Sequence, residues 1–415
     1  MKTKWIPITV LAALALAPLV AITVTRSGGS RELQEQLRLA QTEGIPLNGS
    51  EYAAMIKPAE LLENAAPLYQ RLKTMRPKGN IWKADVALLN APSAANVKVA
   101  KQVLADNLTT LKTVERAADL RRCWFNRNWD PGAAVLLPEY ADMKGAAKLL
   151  SLRGSVAANE GRVEDAIADA KRVISIAKHS GEEGHSISRL VAESIYAVGM
   201  TDLATWAHQH RETPAYRHAL ASLLDSIPKP DLRSEHASDL FMLLTMIDFL
   251  KTERGRRDVG LQESDISKAE AFMPLLVDQN RAKAEIVRAA RLHWTEVAKP
   301  VPDRAVLAEC RSKTEVALRA FPTAANLYSM LFDGGPGLSF LRTEGWASRR
   351  LAYTAVLRAL DGEVVPKKIK TADLRSPYDS KPLSYRFDGK RMSFLVSGWS
   401  DSSGPVKLLI PPDKE

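Results

Sequence analysis

The sequence predicts a mainly α-helical protein, a multi-helical antiparallel bundle or irregular helical array closed by a small C-terminal β-hairpin cap. Three observations carry that prediction. Apolar residues recur at helical spacing, as in "NVKVAKQVLADNLTTLKTVERAADLRR" from Asn96 to Arg122. Alanine and leucine dominate while aromatic residues make up only 6%, a composition that favours helix over strand. Prolines at 228, 230, 300 and 302 punctuate the periodic segments where helices must stop. Only from Ser376 onward does the pattern change to short strand-like runs between turns.

The chain is 415 residues long, enough for two or three domains with a sizeable core. Hydrophobic residues at 46% and charged residues at 26% describe a folded body rather than a disordered one. A net charge of +10 draws the surface to phosphate, anionic lipid or acidic polymers without choosing among them. The first segment sets the compartment. After Met1-Lys2-Thr3-Lys4 comes "WIPITVLAALALAPLVAITV", Trp5 to Val24, 20 residues without a charge. That length suffices to cross a bilayer. The leading lysines place the N-terminus in the cytoplasm, so the membrane partner is residues 5–24 and the body lies outside the cytoplasm. Cleavage after the small-residue triplet Ala13-Leu14-Ala15 is the competing expectation and would release a secreted body. No cysteine lies near this segment, which excludes a lipid-modified cysteine anchor.

The elements follow in order. Residues 1–27 are the anchor or signal segment, 28–57 a polar stalk and linker, 58–340 the helical body, and 341–415 a helix plus β-hairpin unit. Residues 28–44 read as a stalk or short helix. Pro46, Gly49 and Pro58 read as breakers, with a helix starting at Pro58 or Ala59 because proline suits the first helical position. One amphipathic helix is expected over 96–122. "AAKLLSLRGSVAANEGRVEDAIADAKRVISIAKHSGEE", Ala146 to Glu183, reads as two helices around a Gly161-centred turn. This pattern resembles a tetratricopeptide-type hairpin, with Gly154, Ala157, Ala166 and Ala170 near its small positions. No second copy follows at a period of about 34 residues, so one hairpin is expected and not a repeat array. Further helices are expected over 186–210, 214–227, 234–251, 264–298 and 303–319. "LFMLLTMIDFL", Leu240 to Leu250, is too short to span a membrane and reads as a core helix. "FDGGPGLSF", Phe332 to Phe340, lacks the Lys-Ser/Thr ending of a phosphate loop and reads as a linker.

The last helix, Gly345 to Pro366, ends near Gly362 and leads into "SPYDSKPLSYRF" and "RMSFLVSG". Through Pro377, Tyr378, Lys381, Pro382, Leu383, Tyr385 and Arg386, then Phe394, Ser397 and Gly398, this tail resembles the closing segment of uncharacterised membrane-anchored bacterial proteins of the planctomycete type. It is similar also to the C-terminal segment of type II secretion major pseudopilins. Ser376 stands where that pattern has Asp, and Ser380 where it has Gly. The pseudopilin loop resembles a calcium site, yet the loop at 397–404 here has one carboxylate, Asp401. Calcium takes 6–8 oxygen ligands, so no metal is read there. The N-terminus has neither the processing site nor the early Glu of a pilin, which excludes a pilus subunit. Tyr385, Phe387, Phe394 and Val396 are expected to cover a helix end.

The chemistry-bearing residues are sparse. Of seven histidines, His208 and His210 sit two apart on a helix and point away from each other. His179 and His185 flank "SGEEG" without a third ligand at recognisable spacing, so neither metal nor cofactor is expected. "GHSIS", Gly184 to Ser188, lacks the second Gly of a nucleophile elbow, and Ser186 reads as a helix N-cap. Glu160, Glu164, Asp165 and Asp169 read as a solvated helix start. The loop-like "RRCWFNRNW", Arg121 to Trp129, offers the one ligand platform, Trp124, Arg127 and Trp129, which reads more readily as packing between domains. Cys123 and Cys310 read as two separate buried thiols, with a disulfide as the alternative. The resulting expectation is a scaffold or interaction protein of the cell envelope with a protein partner. The alternatives are a helical enzyme acting on glycan and a binder of anionic lipid or polymer; an exported body argues against nucleic acid.

Overall fold

The computed structural model describes residues 28–60, 62–75, 78–90, 92–132, 135–210, 212–227, 232–252, 277–299, 303–325, 353–354, 357, 381–382, 384–387, 391–395 and 406–409. Among these the chain is mainly helical. In order the helices are α1 (28–42), α2 (Gly49–Ile56), α3 (Ala66–Leu72), α4 (Ile81–Asn90), α5 (Ala94–Asp106), α6 (Leu108–Ala118) and α7 (Glu139–Asn159). They continue as α8 (Val163–Gly181), α9 (Ser186–Gln209), α10 (Pro214–Ser226), α11 (Leu232–Phe249), α12 (Gln279–Val297) and α13 (Arg304–Leu318). Three strands, β1 (Ser384–Phe387), β2 (Arg391–Leu395) and β3 (Val406–Leu409), pair antiparallel in that order, with Tyr385 opposite Phe394 and Phe394 opposite Val406. The expected packing of Tyr385, Phe387, Phe394 and Val396 lies outside the described side chains. The anchor at 5–24, the linker Phe332–Phe340, most of the expected helix from Gly345 and the 397–404 loop lie outside the described residues. No described helix is long and apolar enough to cross a membrane.

Two compact units interleave along the sequence. The first takes 1–55, 127–135 and 232–339; the second takes 56–126, 136–231 and 340–415. In the first, α1 is fastened to α12 by charge. Arg288 pairs with Glu32, and Arg291 bonds both Glu43 and, at 2.8 Å, Gln36. Each α12 end of these pairs lies on one face, three residues apart. Tyr52 of α2 packs edge-on against Trp129, ring centroids 5.2 Å apart, and against Phe241 of α11 at 4.8 Å. Gly49 opens α2 where the chain at Trp129 comes so near that a Cβ would lie 2.3 Å from its carbonyl carbon. The residue read as a breaker is therefore a helix start. Of the run from Leu240 to Leu250, the residues other than Thr245, Asp248 and Phe249 are buried, as expected of a core helix.

In the second unit α7 and α8 form the central pair. Gly161 turns between them at φ +74°, a region that favours glycine. The small residues Gly154, Ala157, Ala166 and Ala170 are all buried. At Gly154 a Cβ would stand 2.8 Å from the Trp206 ring of α9, so the small side chain is what admits the indole. A core of Tyr69, Leu88, Leu111 and Val114 meets Leu149, Leu150 and Ile176 beneath it.

Four expectations need correcting. No helix starts at Pro58; the next begins at Ala66 with Pro67 in the first turn. The single helix expected over 96–122 is two, broken at Asn107 (φ −115°, ψ 17°). The buried Asn107 amide accepts from Lys78 N at 2.7 Å and donates to Lys78 O and Val103 O, and that tertiary demand overrides the local period. His185, not Ser186, caps α9, its Nδ1 accepting from Ser188 N. Asp169 is not part of a solvated helix start: it is buried beneath Arg153, which donates to both its oxygens at 2.8 and 2.5 Å.

Candidate functional site

The densest polar cluster gathers where α8 gives way to α9, at "SGEEGHS", Ser180 to Ser186. Gly184, at φ +71°, makes the turn that brings both helix ends together. His179 Nε2 lies 2.9 Å from Leu120 O, which can only accept, so Nε2 carries the proton. Nδ1 is then an acceptor and Tyr69 donates to it at 2.9 Å. Burial pushes the His179 imidazole down to about 4 and the Tyr69 phenol up. The neighbouring chain obeys the same logic. His185 Nδ1 accepts from Ser188 N, so its Nε2 donates to the Tyr140 oxygen at 3.0 Å, and Tyr140 donates to Glu183. Burial lifts the Glu182 carboxyl to about 6 although it accepts from Cys123 N at 2.7 Å. Asn64 holds Trp124 from both sides of its backbone, at 2.9 Å each.

The two histidines read from the sequence as flanking one loop are thus turned to separate tyrosines. Among the described residues no three His, Cys, Asp or Glu side chains converge to hold a metal ion. The network ties α3, the 120–124 segment, α7, α8 and α9 into one joint. Its chemistry is proton holding: each imidazole has one nitrogen committed as donor and the other as acceptor.

A second buried group escaped sequence reading. Asp85 of α4 accepts from Ser151 at 3.2 Å and Ser155 at 3.3 Å, both on α7. Asp202 of α9 interacts with the same Ser151 and lies close enough to Asp85 for their charges to repel. Both carboxyls are raised above the usual carboxylate range by burial, and Asp202 further by Asp85. One signal was legible: each is a lone acid in an apolar helical run, "ADVALL" and "TDLATW".

Of the platform residues, Trp129 is 2% exposed within the Tyr52 and Phe241 cluster. Trp124 and Arg127 are half-buried, and the Trp124 indole N–H is buried with no hydrogen-bond partner. Trp124 belongs to the second unit, Arg127 and Trp129 to the first. Cys123 and Cys310 are both buried, the first in the second unit and the other in the first.

The first unit carries an open cleft of about 820 Å³ against α1. Arg31, Gln34, Glu35, Arg38 and Gln41 recur at three- and four-residue steps and so share the α1 face that lines it; Asp248 of α11 and Lys283 of α12 complete it. Glu35 bonds Arg38, which lowers its carboxyl pKa, and Asp248 pairs with Lys283. The sequence reads here as a polar stalk or short helix, and the helix is what forms. Its polar face had no partner in the sequence from which a cleft could be inferred.

Compared with protein-family profiles, curated proteins and solved structures, the chain matches none of them.

Proposed function

We propose that the chain is a membrane-anchored interaction protein of the cell envelope, with its body outside the cytoplasm and the α1 cleft as its partner-binding face. The observation that carries this reading is the character of the cleft. Small-molecule sites carry a few polar groups, whereas here seven of the twelve lining residues bear guanidinium, carboxylate, amide or ammonium groups. Such a lining suits the polar backbone and side chains of another protein. The tetratricopeptide-like α7–α8 pair and the β1–β3 unit act in this reading as scaffold, the first through its small buried positions and the second as a cap.

Two carboxylates on one cleft, Glu35 and Asp248, are what favours the glycan-cleaving alternative. A general acid needs a raised pKa, and Glu35 is held low by Arg38. The binding reading is therefore preferred.

The test is copurification of the tagged full chain from solubilised membranes. Gln34→Arg with Gln41→Arg adds bulk and charge at two exposed cleft positions. A protein that copurifies with the wild type and is lost from the double variant supports the reading. An unchanged set of copurifying proteins, or a chain absent from the membrane fraction, refutes it.

A further inference from the structure

We propose that the small pocket at α11, α12 and α13, whose walls mix polar and apolar side chains, binds a single water molecule that hydrogen-bonds one nitrogen of His293. The pocket is lined by His236 and Asp239 of α11, His293 of α12, and Cys310 and Thr314 of α13, and its volume is about 20 Å³. A water needs about 10–15 Å³ and two to four polar partners. His293 is 2% exposed, yet neither Nδ1 nor Nε2 has a hydrogen-bond partner. A neutral imidazole buried in that state loses both its hydration bonds without replacement.

The geometry decides what fills the need. His236 Nε2 lies 2.8 Å from Ala290 O and must donate to it, which leaves Nδ1 as an acceptor. The two rings stack with centroids 4.1 Å apart and planes 25° apart. Stacked rings keep their nitrogen lone pairs in near-parallel planes, a poor arrangement for both to bind one metal ion. The volume is too small to enclose an organic ligand. Thr314 spends its proton on Cys310 O at 3.0 Å and keeps lone pairs to accept from a water, while the Asp239 carboxylate offers another acceptor on the same wall. A water bonded to one His293 nitrogen and to one of these acceptors has the two polar partners that it needs.

The test is a crystal structure of the full chain in detergent, with anomalous data collected at the zinc and copper edges, beside melting curves with and without added Zn²⁺ or Cu²⁺. The expected result is one isolated water peak within hydrogen-bond distance of a His293 nitrogen, no anomalous signal, and a melting temperature that neither ion raises. An empty pocket overturns the proposal. So does an anomalous peak, or an ion-dependent rise in melting temperature that His293→Phe abolishes.

Discussion

At Gly154 the hydrogen that replaces a Cβ gives Trp206 its place, since a methyl carbon there would meet the indole at 2.8 Å and the Asp169 Cβ at 3.3 Å. Gly154→Ala is expected to destabilise the second unit by about 1–3 kcal/mol through overpacking, read as a lower urea midpoint. Gly199→Ala, whose nearest atoms are the ends of Ile174 and Val173 at 3.1 Å, is expected to cost less. Tyr140→Phe removes the hydroxyl that both Glu183 and His185 use, and is expected to cost about 1.5–3 kcal/mol in the same assay. The buried acids add a pH dependence. A carboxyl raised above its unfolded value of 3.8 contributes full stability below that pH and loses it as pH rises through the folded value. Asp202→Asn should therefore be more stable than wild type at pH 8, and the difference should close towards pH 4. If the gap is instead widest at pH 4, Asp202 is not a raised acid. Gly154 was legible in the sequence as a small position through the resemblance of 146–183 to a tetratricopeptide-type hairpin. Asp169 was not, because its burial depends on Arg153 one helix away.

Helix positions between 139 and 249 were largely legible, since long runs of helix-forming residues between breakers and the Gly161 turn are local signals. Where the reading failed, a tertiary contact had overruled the local one. Asn107 is the clearest case: its amide serves Lys78, 29 residues away, and ends a helix whose apolar period continues. Asn107→Ala is expected to lower stability by about 1–3 kcal/mol, because Lys78 N and O lose their partner. The joint of α11 and α12 responds to acid. Burial pushes His236 down to about 4 and, with the neighbouring His236 charge, His293 to about 2. Imidazoles depressed from 6.5 contribute full stability above that pH and lose it progressively as pH falls towards the folded values. Unfolding of the first unit, followed by fluorescence of Trp294 against α11, should ease between pH 6.5 and 4, and His236→Phe with His293→Phe should flatten that slope. An equally steep slope in the double variant would show that other groups cause it.

For the whole molecule, composition and period conveyed the helical class, while the interleaving of two units did not show. Segments 127–135 and 232–339 join 1–55 through side chains such as Trp129, Arg288 and Arg291, and no local pattern announces partners so far apart in sequence. The same holds for the cleft, whose walls come from α1, α11 and α12. Only the polar character of the stretch that forms α1 was read, as a stalk or short helix over 28–44. In the proposed reading the α1 face lies just beyond the expected membrane anchor, on the outer side. Site-specific photo-crosslinking in intact cells tests this most directly, with the photoreactive residue at Gln34 in the cleft and at Lys171, exposed on α8, as control. A discrete protein adduct at position 34, absent at 171 and accessible to protease added outside the inner membrane, is the expected outcome. Adducts only to glycan, equal labelling at both positions, or a body that external protease cannot reach would contradict it.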